Sequence, residues 1–180
     1  MSKPPIQEPE LVITAPEPYA ESLAYATRCR STVGVLVQLF AEAERNVVIA
    51  APFVDANAIF DMGVLSAAIK AALSRGISVD FLSTKPNVEA PRVRRFAESF
   101  QGQVKLYHPV FPQFQVSQLG SHAKFCISDA TAAYVGSANL TGPGLNQHFE
   151  MGLLVRGRPA AAIRDFWLFA VRYKLFAELM

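Results

Sequence analysis

Within His122 to Glu150, HAKFCISDATAAYVGSANLTGPGLNQHFE, an imidazole, an ammonium, a hydroxyl, an amide and two carboxylates recur at short, regular spacings. His122 and Lys124 are two apart on a segment that reads as a strand, so both side chains leave one face. Ser137 and Asn139 repeat that spacing at the end of the next strand, beyond the small Gly136, and Asp129 fits the turn between the two strands. If those strands pair, His122, Lys124, Ser137 and Asn139 converge on one patch, to which Glu150, opening a further strand, adds a carboxylate. Such a patch is a poor metal site, because one soft ligand stands beside an ammonium that repels cations. It is a good phosphate site. Lysine supplies charge, serine and asparagine supply directed donors, and histidine attacks or transfers a proton. The chemistry expected is phosphoryl transfer without metal, and no cofactor is implied.

The surrounding elements are those of an α/β domain. Helices are expected over Ser22–Arg30, from a cap at Thr32 to about Glu44, over Gly63–Ser74, and from Asn87 or Glu89 to about Phe100. Between them lie apolar, β-branched runs at Asn46–Phe53, Ile77–Leu82 and Val104–Tyr107, the pattern of strands buried on both faces. Three more strands are expected near His122–Ser128, Ala132–Gly136 and Phe149–Val155, and a long amphipathic helix from Pro159 to Leu179 closes the chain. This succession predicts a mixed, largely parallel sheet flanked by helices in a single domain, residues 21–180. Residues 1–20, rich in Pro and Glu, read as a tail or an extended arm packed on something else. His108 to Ser121, with its Phe111 and Phe114, is an irregular loop of the length that often serves function.

Composition sets the bounds. With 180 residues, 51% apolar and 18% charged, the chain has the makings of one core and not of a disordered segment. A net charge of +2 and a pI near 8.6 allow an anionic substrate without demanding one. Cys29 and Cys126 are 97 positions apart without a Cys/His cluster, so no zinc site is expected. No apolar run approaches the ~20 residues of a membrane span, and the N-terminus lacks a signal-peptide h-region. A cytoplasmic protein without stable membrane association is expected. Arg92, Arg94 and Arg95 cluster on one predicted helix and, with His148, are candidate substrate-binding residues.

The spacing HxKxxxxDxxxxxxGSxN, matched at His122, Lys124, Asp129, Gly136, Ser137 and Asn139, resembles the signature of the phospholipase D superfamily. The resemblance implies a two-step reaction. One histidine attacks phosphorus to form a phosphohistidine, a second histidine from another copy of the motif protonates the leaving group, and water completes the hydrolysis. It implies that Lys124 and Asn139 hold the non-bridging oxygens with Ser137 assisting, that Glu150 orients His122, and that Asp129 is a structural and electrostatic support. The chain has one copy of the motif and three histidines, His108, His122 and His148, so the resemblance implies a symmetric homodimer that completes the site. Its small size and single motif resemble the bacterial endonuclease branch, which implies nucleic acid as substrate, DNA ahead of RNA. The wording GSHAKFCISD followed by AYVGSANLTGPGLNQHFEMGLLVRG is also similar to the phospholipase D-like component of the bacterial DISARM anti-phage system, which implies other defence proteins as partners. The alternatives are a phospholipase or other small-diester hydrolase, and a catalytically silent nucleic-acid-binding dimer.

Overall fold

A computed structural model describes residues 8–61, 63–84, 91–93, 95–96, 98–100, 103–110 and 121–179. Nine strands form one sheet: β1 (Glu10–Thr14), β2 (Arg30–Ser31), β3 (Asn46–Ala50), β4 (Ser78–Leu82), β5 (Val104–Pro109), β6 (Phe125–Ser128), β7 (Ala132–Gly136), β8 (Glu150–Arg156) and β9 (Phe176–Glu178), in the order β2-β1-β8-β7-β6-β3-β4-β5-β9. The helices are α1 (Tyr19–Thr27), α2 (Thr32–Glu42), α3 (Val64–Ser74), α4 (Gly142–Asn146) and α5 (Arg158–Arg172), with a π-helical turn at Asn57–Asp61. Residues 91–93, 95–96 and 98 are also helical.

The sequence accounts for the ends of these helices. Ser31, not Thr32, caps α2, its Oγ accepting from the Gly34 N–H at 3.1 Å. Past α3, Gly76 takes φ +88°, which lets its N–H reach the Leu73 carbonyl at 2.9 Å and the Ile77 N–H reach that of Ala72 at 3.1 Å.

One face of the sheet carries α2, α3 and the 91–98 segment, packed through Leu36, Leu39, Phe40, Ile69, Leu73 and Val93. The other is covered by α5, where Ala160, Trp167 and Ala170 meet Val48, Ala50, Phe125 and Ile127. Cys126 is fully buried in the core on the α2 side, and burial pushes its thiol up.

The α/β class and the helix-flanked mixed sheet are as expected from sequence, but the balance of pairings is not largely parallel. Only β1–β2, β3–β4 and β4–β5 are parallel; the other five pairings are antiparallel. Crossover helices impose parallel pairing around β3, β4 and β5 and, through α1, between β1 and β2, whereas β6, β7 and β8 follow one another as antiparallel neighbours. Two further strands come from the ends of the chain. Residues 10–14, expected within the N-terminal arm, form β1 along β8, and Arg156 and Arg30 engage Glu10 and hold its carboxyl below the usual range. The expected helix to Leu179 ends at Arg172 instead. Lys174 turns left-handed (φ 57°), the Leu175 N–H closes on the Ala170 carbonyl at 2.8 Å, and Phe176 buries itself as β9 beside β5.

Among the described residues no helix is long and apolar enough to cross a membrane. The expected start of the fourth helix (87–90) and the Phe111 and Phe114 loop lie outside the described residues.

Candidate active site

The C-terminal ends of β3, β4, β5 and β7 and the N-terminal ends of β6 and β8 share one edge of the sheet. That edge gathers the motif. His122 and Lys124 lie in the extended segment that enters β6, not within the strand itself. The Lys124 carbonyl accepts the Gly136 N–H at 3.2 Å, which fixes that segment against the end of β7. One residue on, Ser137 pairs with the start of β8. Its N–H donates to the Met151 carbonyl at 3.0 Å, its Oγ accepts the Met151 N–H at 3.1 Å, and its hydroxyl donates to Glu150 Oε2.

Lys124 Nζ lies 3.2 Å from His122 Nδ1 and 3.4 Å from Nε2, and donates to the His122 carbonyl at 3.2 Å. The imidazole is exposed, whereas the ammonium is buried beneath it. Burial pulls the Lys124 pKa down, and the negative charge of Glu150 opposes the shift. Asn139 is half-buried, and its Oδ1 is an inaccessible atom without a hydrogen-bond partner.

Glu150 was expected to orient His122. Its two oxygens are instead directed elsewhere: Oε2 accepts from Ser137, and Oε1 faces His148 Nδ1 at 3.8 Å. With only 13% of its side chain exposed, Glu150 organises the Ser137 side of the site and holds His148 at the rim. His148 is fixed from below, its N–H donating to the Pro143 carbonyl at 2.9 Å at the end of α4.

Asp129, a position of the motif for which the resemblance implies a structural and electrostatic support, is not part of this cluster. It sits at the opposite end of β6 in a left-handed conformation (φ 51°), its carboxylate accepting the N–H groups of Glu44 at 2.6 Å, Arg45 at 3.0 Å and Asn46 at 2.8 Å. The left-handed turn after β6 aims it at the α2–β3 connection, away from the end of the sheet that carries His122. Arg92 and Arg95 lie on the 91–98 segment, apart from the motif, and Arg94 lies outside the described residues.

Tyr134, which spacing alone did not single out, forms the inner wall. Its ring lies over Gly136 and Gly152, a directly opposed pair on β7 and β8. A methyl on Gly136 would stand 2.2 Å from the Tyr134 hydroxyl, 2.6 Å from Cζ and 2.9 Å from the Gly152 Cα. The sequence signal was there, a tyrosine two residues before a glycine on one strand face. Burial raises the Tyr134 pKa, partly offset by the Thr32 hydroxyl and the Ala138 backbone, so the first turn of α2 also reaches this wall. Gly136→Ala is therefore expected to cost about 1–3 kcal/mol of stability from overpacking and to displace the neighbouring Ser137. Thermal denaturation checks this. Adding Tyr134→Phe is expected to restore only part of the loss, because Cζ stays in the way.

Residues 36–167 match the family described as cardiolipin synthase, PLD-like domain. Among solved structures, the chain is similar to Nuc, a phospholipase D family member from Salmonella typhimurium, with 17% identity, TM-score 0.60, and 95% of this chain and 98% of that one covered. It is similar to NucT from Helicobacter pylori at 16% identity and TM-score 0.60, over 89% of this chain and 93% of that one. Phosphatidylserine synthase from Haemophilus influenzae Rd KW20 is similar at 16% identity and TM-score 0.60, over 88% of this chain and 36% of that one. At these identities the likeness establishes the shared fold. No curated protein matches the sequence significantly.

Proposed function

We propose, from the premise that this chain belongs to the phospholipase D superfamily, whose members are phosphodiesterases, that it hydrolyses nucleic-acid phosphodiesters through a covalent phosphohistidine without a metal. One observation carries the reading: an exposed imidazole, His122, with its Nδ1 3.2 Å from the ammonium of the buried Lys124, at the sheet edge that also presents Ser137 and Glu150.

In the first step a ring nitrogen of His122 attacks phosphorus, the P–N bond forms, and the P–O bond to the leaving oxygen breaks. Lys124 must leave the imidazole for this to happen, and a non-bridging phosphate oxygen is the stronger acceptor that draws it away. The ammonium then stabilises the charge that gathers on the pentacoordinate centre, with the Asn139 amide as a further candidate donor and Ser137 assisting once its hydroxyl leaves Glu150. The leaving oxygen takes its proton from a second imidazolium. Water next attacks the phosphohistidine, its proton passes to that second imidazole, and the P–N bond breaks.

The second imidazole belongs, in this proposal, to the His122 of another copy across a two-fold axis. The rim supports such a contact: Val135, Phe149, Met151 and Leu153 are large, apolar and 41–65% exposed beside Ser137 and Glu150. Specific activity is therefore expected to fall on dilution in step with dissociation of a dimer seen by light scattering, and Leu153→Arg to give inactive monomers. A monomer that stays fully active at high dilution contradicts it.

The same apolar rim favours a second reading, a lipid or other small-diester substrate. Hydrolysis of single- and double-stranded DNA, RNA, phospholipid vesicles and a generic aryl phosphodiester in excess chelator separates the two. Chelator-resistant cleavage of nucleic acid supports the proposal, and cleavage of lipid alone overturns the substrate assignment. Retention of DNA without cleavage supports a silent binding dimer. The resemblance to the DISARM component extends the proposal to a complex that handles foreign DNA, which phage plating with His122→Ala in place of the wild type tests.

A further inference from the structure

Lys70 on α3 and Arg92 and Arg95 on the 91–98 segment line one open groove of about 470 Å³ with Phe60, Phe96, Ser99 and Phe100. All three cations are exposed, and none makes an ion pair with a described residue. Among the described residues no acidic side chain lines the groove. Its floor is aromatic. The rings of Phe60 and Phe96 are 4.5 Å apart and those of Phe96 and Phe100 5.2 Å, with Phe60 backed by Phe81 at 5.2 Å. Three like charges over a recessed aromatic surface repel one another unless a polyanion lies among them.

Chain connectivity ties the groove to the site. The 91–98 segment follows β4, whose C-terminal end lies on the sheet edge that carries His122. It packs with α2 and α3 on one face, through Val93 and Phe96, so Arg92 lies toward the site end of that helical layer. In the sheet β4 is two strands from β6, about 10 Å at the usual interstrand spacing.

We propose that the Lys70–Arg92–Arg95 groove is a second, non-catalytic phosphate track, which holds the backbone of a single-stranded polynucleotide several nucleotides from the phosphodiester at His122. This rests on the nucleic-acid reading of the site and narrows it to substrates long enough to occupy both places. A concave groove with cations on its rim and phenylalanines in its floor fits a chain of phosphates with bases against rings. A bilayer would need the aromatic groups to protrude.

The test uses the full chain with His122→Ala, so that nothing is cleaved, and measures binding of oligodeoxynucleotides from about 2 to 20 nucleotides across a salt series. Affinity is expected to rise at least ~10-fold once the oligomer spans both sites. Lys70→Glu with Arg92→Glu is expected to remove that rise, and to reduce the slope of log K against log salt by about 1.4, at roughly 0.7 per single-strand phosphate contact. The pair Lys70→Arg with Arg92→Lys is expected to retain both, which excludes misfolding as the cause. Unchanged affinity and slope in the reversed pair overturn the groove alone. So does a reversal that abolishes binding to phosphatidylserine vesicles while oligonucleotide binding stays intact. If the unreversed protein binds no oligonucleotide and the wild type cleaves none, the nucleic-acid reading fails as well.

Discussion

Replacing His122 with alanine lowers hydrolysis of whatever phosphodiester the protein accepts by at least ~10,000-fold and leaves thermal stability within about 0.5 kcal/mol. The two halves of that expectation come from different features. The imidazole is exposed and covers only the Lys124 ammonium, so its removal opens no cavity in either face of the core. Chemically it is the nucleophile, and neither hydroxyl nor carboxylate of the Ser137–Glu150 pair replaces it, since each is engaged with the other. Steady-state hydrolysis and a melting curve on the same preparation check it. Retention of more than about a hundredth of the activity would assign the attack to another group.

Asp129→Ala is expected to behave in the opposite way, costing about 2–4 kcal/mol of stability while the folded fraction keeps its turnover to within about threefold. Three backbone N–H groups in the α2–β3 connection lose a charged acceptor at once, and the Asp129 N–H itself donates to the Asn46 carbonyl at 3.1 Å from a left-handed backbone that alanine disfavours. The five residues from Lys124 to Asp129 run along β6, about 16 Å at the rise of a strand, too far for direct contact with the scissile phosphate. Asp129→Asn, which keeps an acceptor oxygen and tolerates positive φ, is expected to recover part of the loss. Chemical denaturation gives the stability, and initial rates at low temperature give the turnover. Lost turnover with unchanged stability contradicts this assignment and restores Asp129 to the chemistry.

What could be read from the sequence depended on the range of the interactions involved. The strand–helix succession from Asn46 to Tyr107 is local periodicity, and it gave the parallel centre of the sheet. The spacing of His122, Lys124, Ser137 and Asn139 resembles a known family, and the first three meet at one sheet edge because β6 and β7 pair in register. Long-range pairings left weaker marks. β1 lies among prolines that read as an arm, and its pairing with β8 and β2 makes it a strand. The break before β9 is made by Lys174 at positive φ, where no glycine advertised it. The partners of Glu150 follow from the register of β7 against β8, which brings Ser137 and not His122 to the carboxylate. Lys70 is 22 positions from Arg92 on a separate helix, so the basic groove has no signature in any short window of sequence.

The central claim is the covalent intermediate on His122. A substrate labelled at the scissile phosphate, mixed briefly with the protein in excess chelator and quenched in alkali, where a phosphoramidate survives, should leave label on the peptide that contains His122. Mass analysis should place on that imidazole the scissile phosphate still esterified to the retained half of the substrate, present in the wild type and absent from His122→Ala. Turnover without any trapped label, with the product phosphate inverted in configuration as in a single direct displacement by water, would contradict the account.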